Sequence, residues 1–375
     1  MGYVAVTGGQ TAIEHAEKLV KAYRLKGSEQ SLDVDDIRQQ MRLLIDKVMG
    51  EGGLYSPDYA AIALKQSEGD PAEAAFLLRA YRSTLPRNHY SLTVEPSEMR
   101  VIRRISSSFK DIPGGQVLGP TYDYTHRLLN FDMRNQKESF TDFLKELDLE
   151  GMDETGPQTF QKVTDLLREQ NLLGNTQASE TEPFDITREK LTFPTTRSAR
   201  LQMLTRGETG TMTALAYSSM RGYGVVHPTI GELRVGYTEV YLPYPFSDQA
   251  DDDSIYIGEM LLTEVETINS FTQNKQGEVE FELGYGLTFG QNEAKAIAMA
   301  ILERSLETEG STPTQDEEFV LLHIDSVEAN GFVSHLKLPH YITFQSMLDR
   351  IRQTKQSDKK PSPSTAANPV RFSHS

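Results

Sequence analysis

The sequence predicts an α+β fold, with a helical N-terminal region followed by a mixed, mainly antiparallel β/α region. Helix caps and helical periodicity dominate residues 10–86, whereas strand-like runs dominate residues 231–284. The elements do not alternate regularly along the chain, and regular alternation would be needed for a doubly wound α/β sheet. At 375 residues, the chain is long enough for two or three domains.

Capping signals define the elements of the N-terminal region. Residues 11–14 (Thr-Ala-Ile-Glu) form a capping box, from which we expect a helix to about residue 23. A second helix is expected to follow Asp33 and to end near Met49, before Gly50. Two more begin at residues 56 and 70, where Ser or Asp as N-cap precedes proline. Their expected packed face consists of Ala61, Leu64, Ala74, Leu77, Leu78 and Tyr81.

The other elements are less regular. Strands are expected at residues 3–6, 231–241, 254–260, 278–284 and 319–323, and helices at residues 291–307 and 344–354. We divide the chain into residues 1–95 (strand and helical domain), 96–132 (glycine- and arginine-rich active-site segment), 133–195 (variable insertion or linker), 196–355 (mixed α+β domain with a histidine pair) and 356–375 (disordered tail).

Composition limits the classes of function. The formal net charge of -16 argues against sequence-independent nucleic-acid binding, which needs a basic surface. No apolar run approaches a membrane span, and the N-terminus resembles no signal peptide, so we expect a cytoplasmic protein. The absence of cysteine excludes disulfides and an iron–sulfur cluster ligated by this chain alone. An acidic chain can hold a polyphosphate only at a local cluster of cations and backbone N–H groups.

The turn at residues 111–116 is the first candidate for such a cluster. Gly114 and Gly115 allow neighbouring backbone N–H groups to form an anion-binding nest. Arg103, Arg104 and Lys110 lie just upstream, and arginine suits bidentate contact with phosphate or phosphonate oxygens. We therefore predict a phosphate or phosphonate site here. The alternative is a hairpin turn preceded by a solvated basic strand.

A few residues later, Asp123 and His126 lie among tyrosines and could serve as chemical groups. A carboxylate could stabilise an oxocarbenium-like sugar, and a histidine could act as acid or base. The alternative is an aromatic core edge with a structural histidine.

Residues 284–290 are a second glycine-rich segment, which precedes the helix expected at residues 291–307. A glycine-rich turn before a helix N-terminus suits anions. Glu293 in the first helical turn would repel them, so we interpret this segment as a structural turn.

His335 and His340 are a candidate metal pair. Five residues apart, their side chains would diverge on a regular helix or strand, so they can converge only if the chain bends between them. Pro339 favours such a bend, and the spacing is typical of half a zinc site. The alternative is two surface histidines on a loop, one stacked on Tyr341.

Two histidines do not complete a zinc site, which needs four ligands or three and water. The missing ligand must come from another protein or from a local side chain, such as His323, Asp325 or Glu328.

Several segments together resemble the PhnI family, a subunit of the carbon–phosphorus lyase core complex. The resemblance covers about residues 3–350 and is carried by residues 3–6, 8–9, 64–66, 76–82, 110–126, 221–224 and 316–341. It implies that the chain acts with PhnG-, PhnH- and PhnL-like subunits. The implied reaction displaces adenine from ATP with a phosphonate to give a ribose 1-phosphonate 5-triphosphate.

The resemblance also implies purine nucleosidase activity of the isolated subunit, with water in place of the phosphonate. It further implies a zinc ion shared between His335, His340 and a cysteine of a PhnJ-like subunit. Two other hypotheses stay open: a non-catalytic scaffold that contributes half of this zinc site, and a stand-alone metal-dependent hydrolase.

Overall fold

The computed structural model describes residues 9–27, 29–134, 139–146, 160–173, 181–224, 227–246, 253–273 and 277–357. In these residues the chain has an α+β fold, as predicted. It divides into two compact units, Met1–Lys21 with Glu328–Ser375 and Ala22–Val327. The strand predicted at residues 3–6 and most of the predicted tail, residues 358–375, lie outside the described residues. The division into five segments stays a prediction.

The described helices are α1 (Gln10–Leu25), α2 (Val34–Gln40), α3 (Arg42–Gly52), α4 (Pro57–Gln66), α5 (Pro71–Thr84), α6 (Phe140–Glu146), α7 (Val163–Glu169), α8 (Arg197–Arg206), α9 (Thr209–Tyr217), α10 (Glu293–Glu307), α11 (Glu317–His323), α12 (Ser326–Ser334) and α13 (Tyr341–Ser357). Across the part of the chain that the structure describes, none of these helices is long and apolar enough to cross a lipid bilayer.

Helices α2 to α5 confirm most of the N-terminal prediction. Asp70 caps α5 by accepting N–H bonds from the first turn, as its sequence position predicted. The single helix predicted between Asp33 and about Met49 is wrong, because Met41 (φ −113°, ψ 39°) separates α2 from α3. Tyr81 is 42% exposed and does not belong to the core. The residues of the predicted packed face that are buried are Ala61, Leu64, Ala74 and Leu78.

Within the described residues, four strands form one antiparallel sheet in the order β1-β2-β3-β4. They are β1 (Arg100–Ile105), β2 (Thr229–Pro243), β3 (Ser254–Gln273) and β4 (Val279–Phe289). The strand predicted at residues 319–323 is wrong, since these residues lie in α11. Asp316 caps that helix by accepting the N–H of Phe319 at 2.9 Å, and such a cap favours a helix over a strand.

The glycines at residues 284–290 belong mainly to β4 and not to a turn, which corrects the interpretation from sequence. Helix α10 lies so close to this strand that a Cβ on Gly284 would be 2.3 Å from the carbonyl oxygen of Ala300. On Gly286, it would be 2.1 Å from the carbonyl oxygen of Ala296. Glycine is therefore required for direct backbone contact between α10 and the sheet.

The two faces of the sheet have opposite character. On the α10 face, Leu233, Val235 and Val265 form an apolar cluster with helix residues. The other face carries buried ionic groups, including Glu232, Glu264 and Glu266. It contacts residues 160–169, within the predicted linker: Lys162 Nζ is 2.7 Å from Glu264, and the Thr164 hydroxyl donates to Glu266 at 2.6 Å. Part of the segment predicted as a variable insertion or linker thus packs against the sheet.

Candidate active site and histidine pair

Strand β1 directs Arg103 and Arg104 to opposite faces of the sheet. Consecutive side chains alternate along a strand, and the register places Arg103 opposite Val235 and Arg104 opposite Arg234. Val235 belongs to the apolar α10 face, whereas Arg234 pairs with Glu232 on the ionic face. Arg103 and Arg104, which are adjacent in sequence, therefore lie in different environments on opposite faces of the sheet.

Arg104 supports the double-glycine turn from inside the protein. Its side chain is fully buried, with Nε 2.5 Å from Glu232 Oε1. Its terminal nitrogens donate to the carbonyl oxygens of Gln161 at 2.9 Å and Gly115 at 3.3 Å, and also to that of Pro113. The guanidinium is consequently occupied by internal partners, and this geometry gives Arg104 a positioning role.

The turn itself has the predicted backbone conformation. Gly114 and Gly115 have φ values of +79° and +75°, a region that favours glycine. A Cβ on Gly114 would also approach the Phe160 ring to 2.2 Å. The Gly115 N–H donates to the Ile112 carbonyl at 2.9 Å and so closes the turn. Both glycines and Lys110 are solvent-exposed.

Arg103 holds the loop that carries Asp123. The buried Arg103 guanidinium lies 2.5 Å from Asp123 Oδ2 and 3.0 Å from Glu293 Oε1, and it also donates to the Leu118 carbonyl. The Asp123 side chain remains 51% exposed, and its other oxygen is 3.5 Å from Arg127. One carboxylate oxygen of Asp123 is thus anchored while the residue faces solvent.

Asp123 opens on a cleft of about 460 Å³ in the larger unit. Among the described residues that line it, Arg42, Lys47, Arg127 and Lys295 are cationic. Both acidic lining residues, Asp123 and Glu293, contact Arg103. In a chain of net charge -16, this is a local cationic surface of the kind that polyphosphate binding requires. His126 is exposed and is not among the residues that line the cleft.

Gln291 forms hydrogen bonds to several of the elements that line this cleft. Its side chain accepts from Arg42 at 2.5 Å and donates to Glu293 at 2.8 Å and to the Pro120 carbonyl at 3.0 Å. Its backbone N–H donates to Asp46 at 2.9 Å, and burial raises the pKa of the Asp46 carboxyl. Helix α3, the loop before Asp123 and the N-terminal end of α10 are therefore fixed to one another.

Sequence reasoning missed most of this cleft. Arg42, Lys47, Gln291 and Lys295 come from α3 and the start of α10, far from the predicted active-site segment. One signal was available in the sequence. The buried residues Ala298, Met299 and Leu302 follow Lys295 by three, four and seven positions, so all four side chains lie on one face of the helix. A lysine on the apolar face of a helix marks a candidate functional group.

The histidine pair lies in the smaller unit, where the chain bends between α12 and α13. His335 begins a 3₁₀ turn (His335–Lys337), and Leu338 is extended, with φ −74° and ψ 158°. The two imidazole centroids are 5.3 Å apart. The bend that the spacing required is present, and it brings the rings together.

The backbone contacts of the two imidazole rings suit metal ligands. His340 Nδ1 lies 2.6 Å from the Leu338 carbonyl, and His335 Nδ1 contacts the Phe332 carbonyl. An Nδ1–H that donates to a carbonyl leaves the Nε2 lone pair for a metal. In the described parts of the chain, no His, Asp or Glu completes a group of three around a metal. The pair therefore fits half of a zinc site.

Comparison with known proteins assigns the family. The family model described as "Bacterial phosphonate metabolism protein (PhnI)" matches residues 2–358. The HtxH protein of Stutzerimonas stutzeri is 50% identical over 95% of this chain and 96% of its own length. Two proteins named alpha-D-ribose 1-methylphosphonate 5-triphosphate synthase subunit PhnI are also similar. The one from Escherichia coli is 46% identical over 94% of this chain and 98% of its own length. That from Rhizobium meliloti is 42% identical over 94% and 95%. The chain therefore belongs to the PhnI family.

Proposed function

We propose that this chain displaces adenine from ATP with an alkylphosphonate, giving a ribose 1-phosphonate 5-triphosphate. The observation that carries the proposal is a cationic cleft with an anchored, solvent-facing carboxylate in a member of the PhnI family. Relatives that match 94% of the chain are named as subunits of the corresponding synthase. Their names favour this function over a non-catalytic scaffold or a stand-alone hydrolase.

The cleft can supply the electrostatics of this reaction. The bond between C1′ of ribose and N9 of adenine breaks, a bond from C1′ to a phosphonate oxygen forms, and positive charge develops at C1′. Asp123, held by Arg103, is the proposed carboxylate that stabilises this charge. The lining cations Arg42, Lys47 and Arg127 would attract the triphosphate. The exposed turn at Gly114 and Gly115, with Lys110, stays a predicted contact for phosphate or phosphonate.

Adenine leaves with the bonding electron pair and needs a proton. His126 is the proposed donor because it lies three residues from Asp123 on the same exposed loop. Water that attacks C1′ in place of the phosphonate would give a purine nucleosidase activity of the isolated chain.

Release of free adenine tests this proposal. The chain is incubated with ATP and methylphosphonate, alone and with PhnG-, PhnH- and PhnL-like subunits, and adenine is quantified by chromatography. We expect phosphonate-dependent release in the complete mixture. No adenine in any mixture would refute the proposal, and a stand-alone hydrolase would instead be fully active alone and inhibited by a chelator.

We further propose that His335 and His340 bind zinc together with a cysteine of a PhnJ-like partner. The support is the half-site geometry, in which both Nδ1 atoms are occupied by backbone carbonyls. A zinc ion bound there would link this chain to the partner subunit. The proposed reaction would still take place in the cleft of this chain.

Metal analysis of the assembled complex tests the zinc proposal. We expect His335→Ala and His340→Ala each to lower the zinc content of the complex. Either substitution leaves only one histidine and the partner's cysteine, and two protein ligands are too few to hold zinc. His89→Ala, at an exposed histidine of the larger unit, is the control. Unchanged zinc in both variants would show that the pair is not the ligand.

A further inference from the structure

Lys295 is a buried cation without a hydrogen-bond partner. Its side chain is fully buried, and its Nζ finds no donor or acceptor contact in the described structure. It occupies the third position of α10 and is one of the residues that line the cleft. Side chains of an α-helix lean toward the helix N-terminus, and the Lys295 Nζ lies 3.1 Å from the position that a Cβ on Gly50 of α3 would occupy.

This arrangement is costly for the stability of the folded chain. Burial, together with the nearby charges of Arg79 and Lys47, lowers the pKa of the Lys295 ammonium to about 8. Glu51 and Glu208 act in the opposite direction but do not restore the ordinary value. A buried ammonium without a partner does not stabilise the folded state, and such a group beside a cleft is a candidate functional group.

The N-terminal end of α10 supplies further positive potential. Its N-cap, Asn292, makes no side-chain cap, because the Asn292 amide donates to the carbonyl oxygens of Asp46 at 2.9 Å and Phe289 at 2.6 Å. The first-turn N–H groups of a 15-residue helix therefore retain their affinity for an anion.

The negative charge of Glu293 was the reason, from sequence, to expect no anion at this helix end. In the structure that charge is paired with Arg103. The carboxylate lies 3.0 Å from Arg103 and accepts from Gln291 at 2.8 Å. The Glu293 carboxylate therefore repels an anion at the N-terminal end of α10 less strongly.

We propose that the N-terminus of α10 and the Lys295 ammonium form an oxyanion subsite for one phosphate group of a polyphosphate. Identification of that polyphosphate with the triphosphate of ATP rests on the proposed function, whereas the subsite itself rests on the geometry of α10.

A purely structural role for Lys295 would make it the counter-ion of the buried Glu51. However, Glu51 already accepts the backbone N–H and the hydroxyl of Thr209, both at 3.1 Å, and lies 3.9 Å from Lys47. The two roles predict opposite effects on stability. A counter-ion raises the melting temperature of the protein, whereas an ammonium that serves only to bind a ligand lowers the melting temperature measured without that ligand.

Calorimetric titration of the full chain with inorganic tripolyphosphate tests the subsite. We expect Lys295→Met to weaken binding about ten-fold or more, since it removes a charge-assisted hydrogen bond, with an equal or higher melting temperature. Ala294→Asp is a second variant at an exposed first-turn position that lines the cleft. An acid there suits the helix end, so this variant should fold and yet bind tripolyphosphate more weakly. Lys65→Met, on α4 and outside the cleft, is the control and should bind normally.

The outcomes separate this proposal from the function proposed above. If wild-type protein fails to bind tripolyphosphate, or if both variants bind it normally, the subsite is refuted even where adenine is released. If the variants lose binding while no mixture releases adenine, the subsite stands and the proposed reaction falls. A lower melting temperature of Lys295→Met with normal binding by Ala294→Asp would establish the counter-ion role instead.

Discussion

Adjacent residues on one strand carry separate tasks in this protein. Arg103 anchors the carboxylate of Asp123 at the cleft, whereas Arg104 is enclosed beneath the double-glycine turn. Sequence proximity suggested one phosphate-binding cluster of arginines. The structure gives both guanidiniums internal partners, and the cations Arg42 and Lys47 of α3 line the cleft.

At the residue scale, we predict that Asp123→Asn lowers phosphonate-dependent adenine release about 100-fold, because the negative charge proposed to stabilise C1′ is lost. The melting temperature should change little, since asparagine can still accept from Arg103. Turnover in the assembled complex is the measurement. The matched control is Glu259→Gln, which alters an exposed carboxylate paired with Arg100 at 2.8 Å. Full activity of Asp123→Asn would favour the scaffold hypothesis.

The position of helix α10 depends on two glycines of β4. Their missing side chains let the helix backbone touch the strand, and the same helix presents Glu293 and Lys295 to the cleft. The geometry of the cleft is thus set by contact between two elements as well as by its own side chains.

At the scale of the elements, Gly286→Ala should lower the free energy of unfolding by about 3 kcal/mol through overpacking. The added Cβ would lie 2.1 Å from the Ala296 carbonyl oxygen, so helix and strand must separate. Urea denaturation measures the loss. Gly331→Ala, on α12 with open space around its Cβ position, should be neutral or stabilising. Equal stability of the two variants would contradict the proposed close packing.

A second prediction at this scale concerns residues 160–169, which the sequence assigned to a variable insertion or linker. Lys162 is the cation between Glu264 and Glu266, at 2.7 and 3.4 Å. Burial opposes its charge, but these two carboxylates raise the pKa of Lys162 overall. Lys162→Met should therefore cost about 3 kcal/mol of unfolding free energy, because two buried carboxylates lose a partner.

The exposed pair Lys145 and Asp142 provides the control, with Lys145→Met expected to change stability by less than about 0.5 kcal/mol. If Lys162→Met were as stable as this control, residues 160–169 would not belong to the cooperative core.

The stability of the whole molecule should depend on pH through Lys295. Burial lowers the pKa of its ammonium from 10.5 to about 8. Between these values the unfolded chain binds a proton that the folded chain does not, so the free energy of unfolding rises with pH. Relative to Lys295→Met, wild-type protein should gain up to about 3 kcal/mol as the pH rises from 8 to 10.5.

Denaturation curves of both proteins at several pH values measure this difference. Lys65→Met, measured in parallel, should show a constant difference from wild type. A constant difference for Lys295→Met as well would mean that its ammonium titrates alike in the folded and unfolded states.

The features that sequence could predict are those determined locally. Helix caps at Asp33, Ser56 and Asp70, strands β2 to β4 and the bend between the two histidines all depend on neighbouring residues. The break at Met41 and the helix at Glu317–His323 were missed, because tertiary packing or a single cap outweighed the local pattern. The cleft was missed for a stronger reason. It depends on contacts such as Arg42 to Gln291, which lie 249 residues apart and leave no periodic signal.

The contact of α10 with β4 through main-chain atoms has an evolutionary consequence. Where side chains separate a helix from a sheet, each exchange of a larger for a smaller residue moves the helix slightly. Here Gly284 and Gly286 leave no side chain at the closest points of approach. Relatives can therefore exchange apolar residues elsewhere in the interior while the helix end beside the cleft keeps its place.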